Sequence, residues 1–221
     1  MPSSSDSTAQ TATVGLSARA RKVAVVAFAL SGAAALIYEV VWTRELSLVF
    51  GSTVYAVSMM LASFMSGLSL GSWLGGKWAD KETNLLQLFG KLEFGIAIFG
   101  ILSIPLIQLL PVVYYAAYSA LKPGFGLFFV VQLLLSFIIM LVPTTFMGAT
   151  FPVVAKANTD SLDHLGGGVG GAYSVNTLGS IAGSISAGFL LIPLIGVKGA
   201  TFTAAGLNLV VSTTVIIGSQ S

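Results

Sequence analysis

The sequence contains no cysteine and a single histidine, His164. Without thiols the chain can form no disulfide, no thiolate metal site and no cysteine nucleophile, and one imidazole does not make a metal site on its own. Lys, Arg, Asp and Glu make up only 8% of the residues, whereas a soluble domain is usually about one-quarter charged. This scarcity excludes an ordinary soluble domain, and a formal charge of +2 is too small to indicate a nucleic-acid partner. We expect neither a metal nor a cofactor.

Hydrophobic residues account for 55% of the 221 positions, and they cluster in long runs. A helix needs roughly 20 apolar residues to cross a hydrocarbon core about 30 Å thick, so the chain has room for one membrane domain of several spans. The sequence therefore predicts an all-α integral membrane protein, a bundle of six transmembrane helices. The predicted spans are about 22–43, 53–76, 86–110, 124–155 with a kink at Pro143, 172–194 and 199–218.

Residues 1–18 are rich in Ser, Thr and Ala, so they are predicted to form a disordered tail ahead of a transmembrane domain at 19–221. Basic side chains predict the orientation, because cytoplasmic ends of spans carry an excess of Lys and Arg. If the first span starts inside, seven basic residues fall at inner ends and three at outer ends: Arg19, Arg21, Lys22, Lys77, Lys81, Lys91 and Lys156, against Arg44, Lys122 and Lys198. We expect both termini in the cytoplasm, with the lipid bilayer of a bacterial inner membrane around the helices.

Small residues recur at intervals of four in the second and fifth spans. The two sets are Ser63, Gly67, Gly71 and Gly75, and then Gly179 and Gly183. Helices in lipid gain little from apolar burial and associate through close backbone approach, so both faces are predicted helix contacts. Each of these helices is the middle member of a set of three, as a three-plus-three inverted repeat would produce. The alternative is that glycine is simply frequent in membrane helices.

The run IYEVVWTRELSLVFG, residues 37–51, places acidic side chains beside an apolar span. At about 1.5 Å per residue from Val23, Glu39 lies about 24 Å along the first span, short of the outer edge of a core about 30 Å thick. An acid there costs on the order of a few kcal/mol unless it faces protein, water or a cation. Arg44 lies about 140° away around the helix, whereas Thr43 shares the face of Glu39. Glu39 therefore needs a partner from another helix, or a ligand.

Other polar residues extend the candidate ligand site. Glu93 lies roughly 12 Å deep if the third span enters the core at Leu85, and it is interfacial if that span enters at Leu92. Asn176 is placed to hydrogen-bond across the fifth-span glycine face, either to a ligand or in packing alone. The hypothetical substrate-binding residues are Glu39, Glu93, Asn176, Tyr38 and Tyr173, whereas Arg44 and Glu45 are expected to be satisfied by headgroups and water.

The sequence GSWLGGKWADK after the second span resembles the loop signature of major facilitator transporters, which is a Gly, three residues, then Asp and a basic residue. Gly76, Asp80 and Lys81 fill those positions, and the resemblance implies a gating role in the cytoplasmic loop between the second and third helices. The chain departs from the signature further on, where the family has another Gly and a basic pair. The structural alternative is an ordinary interfacial pair between Asp80 and Lys77.

A second resemblance covers most of the chain. The runs that carry it are SGAAALIYEVVWTREL (31–46), SMMLASFMSGLSLGSWLGG (58–76), PTTFMGATFP (143–152) and GGAYSVNTLGSIAGSISAGFLLIPLIG (170–196). They resemble the membrane region of spermidine synthase-like membrane proteins, in which a major-facilitator-like helical region often precedes a soluble aminopropyltransferase domain. The resemblance implies half of a major facilitator fold and polyamine chemistry. Because the chain stops at Ser221, just past the predicted sixth span, we expect no catalytic domain and no enzyme activity.

Two functions remain open. The first is transport or binding of an organic cation, such as the polyamine spermidine, by a half-size transporter domain that pairs as a homodimer to complete its pathway. The second is a membrane anchor or scaffold for a soluble synthase domain or partner, with structurally paired acids and no transport. Buried carboxylates match a polycation electrostatically, and two separated acids would match its separated amines. We favour the first.

Overall fold

The computed structural model describes residues 18–121, 124–158 and 165–219, and these are helical almost throughout. The elements are α1 (Ala18–Phe50), α2 (Val54–Lys81), α3 (Leu85–Leu121), α4 (Phe125–Ala157), α5 (Leu165–Ser186), a π-helical turn (Ala187–Leu191) and α6 (Ile192–Gly218). The predicted all-α class is confirmed for the described residues. Residues 1–17 of the predicted disordered tail lie outside them, and Ala18 begins α1.

Five helical segments among the described residues are long and apolar enough to cross a membrane. The last of them, 169–218, holds 50 residues. At about 1.5 Å per residue it would be about 75 Å long if straight, more than twice a hydrocarbon core of about 30 Å. It is not straight, because Gly196 has φ 72° and ψ 176°, a conformation that breaks the helix and that glycine adopts without steric cost. These segments indicate an integral membrane protein.

The α1 and α3 helices run in the same direction. Ser31 donates a hydrogen bond from Oγ to Oε1 of Glu93, and the indole nitrogen of Trp42 donates to Oγ of Ser103 at 2.8 Å. Both members of the second pair come later in their helices than those of the first. Contacts that advance together along two helices require the helices to be parallel.

The α6 helix runs antiparallel to α3. Asn208 contacts Glu93, whereas Ser212, which follows Asn208 in the chain, donates at 2.8 Å to the carbonyl of Gly90, which precedes Glu93. The register therefore falls along one helix as it rises along the other. This antiparallel packing brings the first residues of α1 and the last residues of α6 to the same side of the bundle.

The α5 helix runs parallel to α1. Asn176 donates from Nδ2 to the carbonyl of Phe28 at 2.9 Å, and Ser180 donates to the carbonyl of Gly32 at 3.2 Å. Since α1 is parallel to α3 and α6 is antiparallel to it, α5 and α6 run in opposite directions. The chain therefore turns back at Gly196, and the 50-residue segment consists of two antiparallel arms.

The helices follow an order across the bundle that differs from their order in sequence. The most extensive interfaces are α2 with α4, α1 with α5, α3 with α6, α3 with α4, and α1 with α6. Together they give the order α2, α4, α3, α6, α1, α5. The edge helices α2 and α5 therefore each pack mainly on one neighbour, and the four central helices enclose most of the buried polar groups.

The predicted small-residue face of α2 lies against α4, and all four of its members are buried. A Cβ on Gly67 would strike the side chain of Thr144, and a Cβ on Gly71 would strike the carbonyl oxygen of Thr145. On Gly75 a Cβ would come within 2.6 Å of the backbone of the α4 residue Ala149. Glycine is thus the residue that lets these two backbones touch.

The small residues of α5 make the matching contact with α1. A Cβ on Gly179 would strike the carbonyl oxygen of Ala29, and one on Gly183 would strike that of Ala33. Each edge helix is therefore held by backbone contact through glycines spaced four residues apart, within the bundle and not across a dimer.

Candidate functional site

Glu93 is a fully buried carboxyl group at the meeting point of α1, α3 and α6, with 0% of the residue exposed. Its Oε1 accepts a hydrogen bond from Ser31 Oγ at 2.5 Å, and its Oε2 accepts one from Asn208 Nδ2 at 2.5 Å. Among the described residues the one Lys or Arg that forms an ion pair with an acid is Lys156, and its partner is Asp80. Glu93 is therefore held by neutral donors.

The contact with Ser31 favours the deeper of the two predicted positions for Glu93. Ser31 lies eight residues beyond Val23, and Glu93 lies eight residues beyond Leu85. At about 1.5 Å per residue each is about 12 Å along its helix from that starting point. Two parallel helices that enter the core at Val23 and Leu85 bring the two side chains to the same depth, as the hydrogen bond requires.

Glu39 occupies a different environment. It is half-buried, and its Oε1 accepts a hydrogen bond from Thr43 Oγ1 at 3.4 Å, one turn further along the same helix. It lies eight residues, or about 12 Å of helix rise, beyond the Ser31 that contacts Glu93. The two acids are not brought together around one cavity in this conformation.

The three other residues of the hypothetical substrate site also lie apart. Tyr38 is fully buried and stacks on Trp42 with ring centroids 5.3 Å apart. Asn176 ties α5 to the Phe28 carbonyl, which is the packing role that the sequence left open. Tyr173 is 61% exposed on α5, with its ring perpendicular to that of Phe151. None of these contacts forms a shared pocket with Glu39.

A cavity of about 410 Å³ lies elsewhere, between the last third of α1, the middle of α3 and the first turns of α6. The charged and polar groups of its wall come from all three helices: Trp42, Glu45, Ser103, Gln108, Lys198 and Thr201. Gly196 also lines it, so the turn between the two arms forms part of the wall. This cavity offers a carboxylate, an ammonium group and the exposed Gln108 amide to a small ligand.

Sequence reasoning missed this cavity, whose wall includes Glu45. That Glu45 is satisfied by headgroups and water stays a prediction. Glu45 and Lys198 are separated by 153 positions in the sequence, and both were placed at outer ends of spans without a reason to pair them. The signal that was present is Gly196, because a glycine between two apolar arms marks a tight reversal. Such a reversal brings the residues after it against the earlier helices.

At the opposite end of the bundle Asp80 pairs with Lys156 of α4, with Nζ and Oδ1 2.9 Å apart. The predicted alternative pair between Asp80 and Lys77 is wrong, because the Lys77 ammonium lies 3.4 Å from the ring centroid of Trp73 instead. Lys156 also donates to the carbonyl of Ala79 at 2.9 Å. Asp80 and Lys81 lie in the last turn of α2, so their predicted position in a loop is wrong. Asp80 fastens the end of α2 to α4, while Lys81 is exposed.

We expect Asp80→Asn to lower the free energy of unfolding by less than about 1 kcal/mol, since exposed ion pairs contribute little. The Asp80 and Lys156 side chains are 77% and 45% exposed, respectively. Lys156→Gln should cost more than Asp80→Asn, because it also removes the donor to the Ala79 carbonyl. Thermal unfolding in detergent of both variants and the double variant measures this difference. Equal losses from the two single changes would contradict it.

Comparison of the chain with protein-family models, curated proteins and solved structures gave no match.

Proposed function

We propose that the chain forms a six-crossing bundle equivalent to half of a major facilitator transporter, built as a three-plus-three inverted repeat. The interfaces support this. Exchanging α1 with α4, α2 with α5 and α3 with α6 turns the α2 and α4 interface into that of α5 and α1, and the α3 and α4 interface into that of α6 and α1. The α3 and α6 interface maps onto itself. The five most extensive helix interfaces are thus closed under the exchange, as an inverted repeat requires.

The proposed orientation puts both termini in the cytoplasm of a bacterial inner membrane. Antiparallel packing of α1 and α6 supports placing the start of α1 and the end of α6 on the same side. That same end of the bundle also holds Lys22, Lys77, Lys81 and Lys156. An excess of Lys and Arg is characteristic of cytoplasmic ends. In this orientation the cavity beside Glu45 opens toward the outer face.

The proposed function is the binding, and in a complete transporter the transport, of an organic cation that enters at this outer cavity. The observation that carries the proposal is the Glu45 carboxylate in the wall of a partly open cavity of about 410 Å³ inside a membrane domain. The exposed Gln108 adds an uncharged group that orients a ligand, whereas the Ser103 and Thr201 hydroxyls donate to carbonyls of their own helices. Spermidine is the first ligand to test, because the sequence resemblance implies polyamine chemistry.

The two charges in the cavity wall predict opposite changes in spermidine affinity when each is removed. Glu45→Gln should weaken spermidine binding at least about tenfold, equivalent to 1.4 kcal/mol, because it removes the carboxylate that attracts the amine. Lys198→Gln should strengthen binding, because it removes a like charge from the same wall. Calorimetric titration of spermidine into the detergent-solubilised variants measures both effects.

Glu82→Gln, at the opposite end of the bundle, is the control, and its affinity should equal that of the unaltered chain. An unchanged affinity in Glu45→Gln would exclude this cavity as the cation site. Failure of the unaltered chain to bind spermidine would leave the second candidate, a membrane anchor or scaffold for a polyamine synthase. The mutual hydrogen bonding of the buried Glu93, Ser31 and Asn208 is the observation that favours such a structural role.

A half-size domain also requires a second half, and we propose that a homodimer supplies it. Glu39 supports the pairing, because it is half-buried and its hydrogen-bond partner, Thr43, lies on its own helix. A second copy against this face would cover an acid that the bundle leaves partly open. Native mass spectrometry in detergent tests the pairing, and a strictly monomeric protein in mild detergent and in bilayers would contradict it.

A further inference from the structure

Polar groups follow one line through the interior between α1, α3 and α6. Ser31 and Tyr38 are seven residues apart on α1, Glu93 and Gly100 seven apart on α3, and Thr201 and Asn208 seven apart on α6. Seven residues are close to two helical turns, so each pair lies on one face of its helix. Glu93 lies toward one end of these faces, and Thr201, toward the other end, lines the outer cavity.

The Glu93 cluster has one unused hydrogen-bonding group, which lets Glu93 stay bonded in either of its protonation states. As a carboxylate, Glu93 accepts from Ser31 and from the amide nitrogen of Asn208. The amide oxygen of Asn208 is buried and has no hydrogen-bond partner among the described residues. If Glu93 takes up a proton, rotation of the Asn208 amide by half a turn presents that oxygen as an acceptor for the new O–H group. Both states then keep a bond between Glu93 and Asn208.

From this geometry we propose that Glu93 is a proton-binding site that takes up and releases a proton inside the bundle. The step balances, because a proton from water binds Oε2 and the same proton returns to water on release. A metal ion fits less well, because each of the two carboxylate oxygens already accepts a hydrogen bond at 2.5 Å, one from the Ser31 hydroxyl and one from the Asn208 amide nitrogen.

The charged surroundings of the cluster leave Glu93 as the group that exchanges the proton. From α1 the titratable group on the facing side is Tyr38, and on α3 itself the neighbouring Lys91 is exposed. The described part of α4 carries one charged residue, Lys156, which is paired with Asp80 at the end of the bundle. The charged residue of α6, Lys198, lies in the cavity wall. No cation among these neighbours fixes Glu93 permanently as a carboxylate.

A route for the proton is suggested by Tyr38. Its hydroxyl is fully buried, has no hydrogen-bond partner among the described residues, and lies beside Gly100, where a Cβ would collide with it. Gly100 is one turn from Ser103, which lines the cavity, and two turns from Glu93. The Tyr38 hydroxyl therefore lies, along the helix axis, between the level of the outer cavity and the level of Glu93.

Infrared absorption of protonated carboxyl groups during a pH titration of the purified protein tests the proposal. We expect a band that appears as the pH falls, that is missing in Glu93→Gln and that persists in Glu39→Gln. Ser31→Ala should displace the midpoint of the titration, because it removes one hydrogen bond to the carboxylate. This second variant keeps the test valid if Glu93→Gln does not fold.

Three results would overturn the proposal. The first is a band that does not change with pH, because Glu93 would then stay in one state. The second is a titrating band that survives in Glu93→Gln, or a midpoint that Ser31→Ala leaves unmoved. The third is a melting temperature that rises with sodium at constant ionic strength, and does so only when Glu93 is present, since that would identify a sodium site.

Exchange of this proton for the organic cation rests on the proposed function, but the titration does not. A chain that titrates at Glu93 and fails to bind spermidine would refute the cation site alone. A chain that binds spermidine through Glu45 and shows no titrating band would refute the proton site alone.

Discussion

Gly71→Leu should prevent stable packing of α2 against α4 and lower the free energy of unfolding by at least about 3 kcal/mol, the upper end of the usual cost of overpacking. The reason is geometric. A Cβ at this position already collides with the carbonyl oxygen of Thr145 and comes within 2.9 Å of the backbone nitrogen of Ala149. Backbone atoms in the middle of a helix cannot move aside as a side chain can. The two helices must therefore separate, and α2 has little contact with any other helix.

The matched control lies five residues away on the same helix. A Cβ on Gly76 would meet nothing within 4 Å, so Gly76→Leu should melt within a few degrees of the unaltered protein. Gly71→Ala should fall between the two variants, because the Cβ alone is enough to cause the clash. Detergent melting curves and gel-filtration profiles of the three proteins provide the comparison. Equal stability of Gly71→Leu and Gly76→Leu would show that α2 does not pack through this face.

The sequence predicts most of the fold because lipid leaves few alternatives. Apolar runs locate the helices, since every backbone polar group inside a bilayer has to be satisfied within a helix. Small residues at intervals of four then identify the contact faces, and Gly67, Gly71 and Gly75 do lie against α4. The order of helices across the bundle is not readable in the same way. Nothing in a lipid-compatible pattern says which of five other helices a glycine face meets.

The candidate site is less predictable than the fold, because its residues come from distant parts of the chain. Spacing along one helix places Thr43, and not Arg44, on the face of Glu39, and Thr43 is the residue that donates to it. The predicted partner from another helix or from a ligand is not seen among the described residues. The partners of Glu93 are 62 and 115 positions away, and Lys156 is 76 positions from Asp80. Local periodicity holds no information about such pairs. Polar residues that lie outside any motif, such as Asn208, become significant only when three helices meet.

The depth of Glu93 shows what a single long-range contact adds. Sequence counting allowed either a buried or an interfacial carboxyl, depending on where α3 enters the core. The hydrogen bond to Ser31 relates α3 to α1, whose entry point is marked more clearly by Lys22 and the apolar run after it. The contact between α1 and α3 thus favours one of the two depths that residue counting along α3 allowed for Glu93.

The two membrane acids should respond in opposite ways to replacement by leucine, which is apolar and of similar size. Glu93→Leu removes the acceptor for both Ser31 and Asn208. Ser31 can turn to a carbonyl of its own helix, as serines in helices often do, but the buried Asn208 amide loses the one partner it has. Each orphaned buried group costs about 1 to 3 kcal/mol, so we expect the melting temperature of Glu93→Leu to fall clearly.

Glu39→Leu should not lower the melting temperature of the same detergent preparation. Its carboxyl is half-buried and holds a long hydrogen bond to Thr43, a residue that remains exposed enough to find another partner. An acid at a membrane depth costs on the order of a few kcal/mol, and leucine removes that cost. Melting curves of Glu93→Leu and Glu39→Leu recorded side by side give the answer. If Glu39→Leu loses as much stability as Glu93→Leu, then Glu39 has a partner beyond Thr43, and cross-linking of that variant against the unaltered chain would show whether a second copy provides it.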